Sequence, residues 1–112
     1  MVITPNYSAL LILACLADAD MHGYAVTKEV AARTTDTIRL RPTTVYRLIA
    51  QLADAGLIEP VRQRARLLDD PRRRTFKVTN AGRRLLAGEM RRLDRVRRAV
   101  RPARPRSLRR PI

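Results

Sequence analysis

The sequence predicts a mainly α-helical fold with a small β-hairpin, an α+β class, extended by one further helix at the C-terminal end. Three observations predict it. Val45, Leu48, Ile49 and Leu52 recur at i, i+3, i+4 and i+7, one face of a helix at 3.6 residues per turn. Two short alternating segments flank the turn signal Asp69-Asp70-Pro71, as in a hairpin. Leu86, Met90, Leu93, Val96 and Val100 then step by four, three, three and four, a narrow helical seam of the kind a partner helix covers.

In chain order, a first helix is expected over about Ser8–Ala17. Leu10, Leu11, Leu13, Ala14, Leu16 and Ala17 make it apolar nearly all round, so it belongs in the centre of the fold or in an interface. Asn6 or Ser8 can cap it. A second helix runs from about Gly23 to Arg33 on a weaker stripe of Tyr24, Val26, Val30 and Ala31. Thr37–Arg41 alternates Thr, Ile, Arg, Leu, Arg, the pattern of a short half-buried strand.

Pro42 opens the third helix, where its fixed φ suits the first helical position. That helix continues to about Ala55, and Gly56 supplies the left-handed residue that ends it. Leu57–Arg64 and Arg74–Thr79 read as the hairpin strands, with Phe76 and Val78 on one face and Thr75 and Lys77 on the other. Thr79 or Asn80 caps the last helix, which runs to about Val100. RPARPRSLRRPI, with three prolines and five arginines, is expected to be disordered alone.

Helix, helix, strand, helix, strand, strand, helix is the order of a winged helix-turn-helix with an added C-terminal helix. The expected division is a winged-helix unit at 1–79, the helix at 80–100 for dimerisation, and a basic tail at 101–112.

The chain has 24 basic and 10 acidic residues, for a net charge of +14. The excess is uneven: residues 1–40 carry three basic and four acidic residues, 41–79 nine and four, and 80–112 twelve and two. A neutral front and a basic back fit a polyanionic partner. Arginine accounts for 22 of the 24, so codon usage can explain arginine over lysine but not the charge itself. A single cysteine allows no disulfide within the chain. The apolar run Ala9–Ala17 falls short of a bilayer span and lacks a basic start, so a soluble cytoplasmic protein is expected.

The third helix indicates what the charge is for. With Val45 at 0° and 100° per residue, the apolar group spans about 300° to 40°, while Thr43, Arg47, Gln51 and Thr44 fall near 160°, 200°, 240° and 260°. Tyr46, near 100°, flanks the core. The major groove of B-DNA admits an α-helix whose first residues reach the bases. Arg47 has the geometry for guanine O6 and N7, and the threonines suit a thymine methyl or a phosphate. Arg62, Arg64 and Arg66 alternate onto one face of the hairpin, and with Arg72, Arg73 and Arg74 they make it strongly positive.

"LLILACLADADMHGYAVTKEV", "LRPTTVYRLIAQLADAGLIEPV" and "DDPRRRTFKVTNAGRRLL" resemble three consecutive blocks of PadR-type transcriptional regulators, over about residues 8–93. The resemblance implies a dimeric winged-helix repressor of double-stranded DNA. It carries Thr43, Thr44, Tyr46 and Arg47 over as recognition-helix contacts and places Arg72, Arg73 and Arg74 on the wing. With Arg41, Gln51 and Arg64 they make up the expected DNA-binding set. It puts the dimer contact on the last helix (Leu86, Met90, Leu93, Val96, Val100) with help from Leu11 of the first. It also implies a response to small hydrophobic effectors or to cellular signals; Tyr7, Cys15 and Tyr24 are the candidates for an effector site, although packing explains each of them as well. Arg41 stands where the family often has serine, and Asn80 where proline is common.

The alternative reading is a non-specific or architectural nucleic-acid binder driven by the arginine-rich back half. His22 without nearby ligand partners is no metal site, and a role in starting the second helix is expected for it. No cofactor, metal or catalytic constellation is expected: there is one His, one Cys and no phosphate-cradling Gly-rich loop.

Overall fold

The computed structural model describes residues 7–61 and 74–100. Arg62, Arg64, Arg66, Arg72 and Arg73, expected on the wing, Asp69-Asp70-Pro71, expected as its turn, Asn6 and the basic segment 101–112 lie outside the described residues. The elements are α1 (Tyr7–Asp18), β1 (Met21–His22), α2 (Gly23–Arg33), α3 (Pro42–Asp54), β2 (Ile58–Pro60), β3 (Thr75–Val78) and α4 (Asn80–Ala99). The three strands form one antiparallel sheet in the order β1-β3-β2, with Met21 opposite Phe76 and Ile58 opposite Val78.

α1 is the hub. Ile12, Leu13, Cys15 and Leu16 are almost wholly buried. Around them pack Val26 and Val30 of α2, Val45, Leu48, Ile49 and Leu52 of α3, Ile58 of β2, and Phe76 and Val78 of β3. The described residues include no buried polar or charged side chain, so the core stays together by apolar burial, at about 1.5–3 kcal/mol for each large side chain. At its edge, Arg33 ties α2 to the end of α1, with Asp18 at 2.6 Å and Glu29 at 2.8 Å.

One expected element differs. Thr37–Arg41 forms no strand. Its alternation survives as burial: Ile38 and Leu40 pack against the core while Thr37, Arg39 and Arg41 are exposed. The backbone, however, is committed elsewhere. Thr35 and Asp36 adopt left-handed φ values of 51° and 61°, and Asp36 N–H donates to Ala31 O at 2.7 Å. Ile38 N–H donates to the Thr34 hydroxyl at 3.0 Å. The third strand comes instead from Met21–His22, just ahead of α2.

The caps follow local chemistry. His22 starts α2, its Nδ1 accepting Ala25 N–H at 3.1 Å. α3 begins at Pro42 and stops before Gly56, whose φ is 76°. Thr79 begins α4: its hydroxyl donates to Gly56 O at 2.7 Å and accepts Gly82 N–H at 3.1 Å. Gly82 is buried at this junction, and a Cβ there would run into the Leu57 carbonyl oxygen and come within 2.7 Å of Val78 Cγ2.

Gly82→Ala is therefore expected to destabilise the fold by about 1–3 kcal/mol through overpacking against backbone. Gly88→Ala on the same helix meets only Arg91 Nη2 at 3.9 Å. It should be neutral or stabilising, by up to about 1 kcal/mol from helix propensity. Urea unfolding of both variants checks the contrast.

Candidate nucleic-acid interface

Val45, Leu48, Ile49 and Leu52 are 0–6% exposed. Their burial fixes the rotation of α3 about its axis, and so decides which residues look outward. Thr43, Arg47 and Gln51 are exposed and Thr44 is half-buried. Arg41 occupies the N-cap position in extended backbone (φ −73°, ψ 146°) and makes no side-chain cap. The N–H groups of Thr43 and Thr44 are thus left without a cap, as open donors at the positive end of the helix.

The outward side chains of α3 are uncommitted. Among the described residues, none of Arg41, Thr43, Thr44, Arg47 or Gln51 makes a side-chain hydrogen bond or an ion pair. Threonines elsewhere are spent internally: Thr27 donates to Gly23 O, Thr34 to Val30 O and Thr79 to Gly56 O. Several cations are spent as well. Arg33 holds Asp18 and Glu29, Arg39 lies 3.5 Å from Asp36, and Lys77 lies 3.6 Å from Glu59 across the β2–β3 pair. Charge-assisted bonds to Glu29 and Asp18 hold the Arg33 guanidinium above its ordinary pKa.

Tyr46 sits differently from its outward neighbours. It is half-buried, with its ring against the Gly23 Cα, where a Cβ would collide with it. Gly23 thereby lets α2 cross close to α3. The other side of Tyr46 looks into a cleft of about 420 Å³ between α3 and the hairpin, walled by Tyr46, Ala50 and Ala53 on one side and Pro60, Arg74 and Phe76 on the other. Arg74 is exposed and has no ion pair among the described residues. Its place across the cleft from α3 could not be read from spacing, because it depends on the fold of the hairpin.

The seam on α4 stands partly open. Leu86 and Leu93 are half-buried, whereas Met90, Val96 and Val100 are 49%, 51% and 63% exposed. Leu11 is half-buried against the core. The effector candidates are not brought together. Packing is the expected role of Tyr7 and Tyr24, yet they are 65% and 56% exposed. Each sits in the first turn of its helix, outside the buried stripe. Tyr24 carries Lys28 Nζ 4.8 Å over its ring and stacks on His22 at 6.3 Å. Cys15 is wholly buried, and burial raises its thiol pKa. None of the three lines the cleft beside α3.

The pattern of the transcriptional regulator PadR-like family matches residues 12–88. A 37.1 kDa protein of transposon TN4556 from Streptomyces fradiae is 34% identical over 84 residues, which is 75% of this chain and 22% of that protein. The chain therefore spans about a fifth of that relative's length. A transcriptional regulator from Clostridium thermocellum superposes with a TM-score of 0.70 at 22% identity, covering 88% of this chain and 94% of that one. A PadR family transcription regulator from Clostridium difficile gives 0.67 at 21%, covering 84% and 94%. These likenesses are of fold.

Cys15 offers a direct check of the core. At neutral pH its thiol is buried and protonated, so a small disulfide reagent should label it only as fast as α1 becomes exposed by unfolding. Urea beyond the unfolding midpoint should make labelling immediate and stoichiometric. Immediate labelling of the folded protein would place the thiol at the surface.

Proposed function

The chain belongs to the PadR-like family of transcriptional regulators, a family whose members bind DNA, and we propose that it is a sequence-specific, dimeric repressor occupying a pseudo-palindromic operator. The observation that carries this reading is the uncommitted outward face of α3. Two threonine hydroxyls, a glutamine amide, two guanidinium groups and two uncapped backbone N–H groups sit on one side of a helix whose other side is locked into the core. Leaving so many polar groups unused inside the protein is what a major-groove helix requires.

In this reading Arg47 reads a guanine, Thr43 and Thr44 meet a base methyl or a phosphate, and Gln51 reaches the far side of the groove. Arg41 and the helix start hold a phosphate. Tyr46 braces α3 against α2 and presents its edge to the cleft. Arg74, with Arg64, Arg72 and Arg73 of the wing, holds the backbone alongside. The open apolar seam of α4, Met90, Val96 and Val100 with Leu86 and Leu93, packs against a second copy, and Leu11 supports that contact. Two recognition helices then enter successive major grooves, with half-sites about 10–10.5 bp apart centre to centre.

Selection of bound duplexes from a random pool tests the whole reading. A preference of at least about 10³-fold over random DNA is expected for a specific regulator; equal affinity would leave only a non-specific binder. Arg47→Ala should weaken binding to the selected site by about 1–3 kcal/mol and relax one base position. An unchanged preference at every position removes the base-reading role from Arg47. Val96→Glu should convert the dimer to monomer in sedimentation at micromolar concentration and lower operator affinity with it, while circular dichroism stays unchanged because Val96 is half exposed in the single chain.

A further inference from the structure

Recognition helix and wing leave much of the charge unexplained. α4 alone carries Arg83, Arg84, Arg91, Arg92, Arg95, Arg97 and Arg98 against Glu89 and Asp94. The acidic residues are consumed by Arg92, Arg97 and Arg98 at 3.6, 2.6 and 2.9 Å. Arg83, Arg84, Arg91 and Arg95 have no ion pair among the described residues and are exposed.

Three of these unpaired cations, Arg84, Arg91 and Arg95, share one line along the helix. At 3.6 residues per turn, Arg84 lies roughly 20° from Arg91 around the axis and Arg95 roughly 40° on the same side. Arg98 lies roughly 20° on the other side of Arg91. The apolar residues Leu86, Leu93, Val96, Val100 and Met90 fall between about 140° and about 260° from Arg91 by the same spacing, on the opposite face. Ala87 and Gly88, the residues between Arg84 and Arg91 on this face, are small, so nothing bulky holds a partner away. From Arg84 to Arg98 the line is about 21 Å long. One DNA strand presents a phosphate about every 3.4 Å along the axis, hence about six phosphates over that span.

The place of α4 in the fold separates its start from the first turn of α3. α4 starts at the Gly56–Leu57 end of α3, where Thr79 bonds Gly56 O. The reading turn at Pro42–Arg47 is the other end, about 20 Å away along the helix. We propose that the arginine face of α4 is a second duplex-DNA contact, gripping the phosphates of a DNA segment other than the one α3 reads. The segment is either the flank of the same duplex, brought back along the protein, or a separate duplex. The proposal rests on duplex DNA being the ligand of this chain, but not on sequence-specific reading.

The test compares the full chain with Arg84→Gln/Arg91→Gln/Arg95→Gln and with the corresponding triple lysine variant. Each is titrated with a selected site in a duplex of about 20 bp, enough for two half-sites, and in one about three times longer. For the parent, the salt dependence of Kd should be steeper on the longer duplex. The glutamine variant should lose about three units of log–log slope there for each engaged protomer, at about 0.9 per phosphate contact, and none on the short one. The lysine variant, which keeps the charge, should restore the slope. That pattern identifies the flank as the source.

If length has no effect but the parent takes up a second short duplex that the glutamine variant does not, the segment is a separate molecule and the proposal stands. Identical slopes and stoichiometry for parent and glutamine variant overturn it. So does an equal loss of slope on both lengths, which would put these arginines on the segment α3 reads. All three positions are exposed, and unchanged thermal unfolding verifies the fold. Failure of the specific-regulator reading would look different: selected and random duplexes would bind alike in parent and variant.

Discussion

The rotation of α3 about its own axis is the constraint on which the rest of the molecule depends. Val45, Leu48, Ile49 and Leu52 are all but completely buried against α1. A turn of the helix by one residue would swing this stripe through about 100°, bringing Val45 and Leu52 toward water and polar side chains toward the core. With about 1.5–3 kcal/mol attached to each buried aliphatic, no outward hydrogen bond competes with that arrangement. The outward group of Thr43, Arg47 and Gln51 is therefore selected by what the inward group needs. That is why a helix start without a side-chain cap, headed by Arg41 and Pro42, keeps a single orientation.

This link explains why so much was legible in the residues. Hydrophobic spacing gave α1, α2, α3 and α4 nearly to the residue, because a periodic stripe belongs to its own segment and needs no distant partner. Gly56 and Thr79 were readable for the same reason: a left-handed terminator and a hydroxyl cap act within three or four residues. The strand expected at Thr37–Arg41 failed because alternation reports half-burial, not pairing. Ile38 and Leu40 are half-buried as the pattern requires, but the Thr34 hydroxyl takes Ile38 N–H. The edge of β3 is filled by Met21–His22 instead, two residues that carry no readable period. The exposure of Tyr7 and Tyr24 was not legible either, since an aromatic ring in a first turn can equally pack or face outward. Of the outward set, the order along α3 was visible in sequence; the brace between Tyr46 and Gly23 and the placing of Arg74 opposite needed the tertiary fold.

Charge in this chain divides by whether it is answered. Arg33, Arg39 and Lys77 meet carboxylates near them, although pairs this exposed contribute little to stability. What they do accomplish is local neutralisation, and residues 1–40, with three basic and four acidic residues, end near zero net charge. Arg41, Arg47 and Arg74 are left unanswered around α3 and its cleft, and Arg84, Arg91 and Arg95 along α4. Because like charges repel, two unneutralised clusters are an energetic burden in the free protein. A polyanion relieves both, and its released counterions make binding steeply salt-dependent.

The junction at Thr79 relates the two clusters. Its hydroxyl holds Gly56 O at the end of α3 and Gly82 N–H at the start of α4, and Gly82 lies directly on the Leu57 carbonyl. No flexible linker intervenes, so α4 leaves the core at a fixed angle to α3. Any surface that holds α4, whether a second copy on its apolar side or phosphates on its arginine side, would thereby set where the Pro42–Arg47 turn points. Opposite faces of one rigid helix can be occupied together. A contact on either face would then position α3 through backbone already locked at Gly82, rather than by moving any side chain of α3.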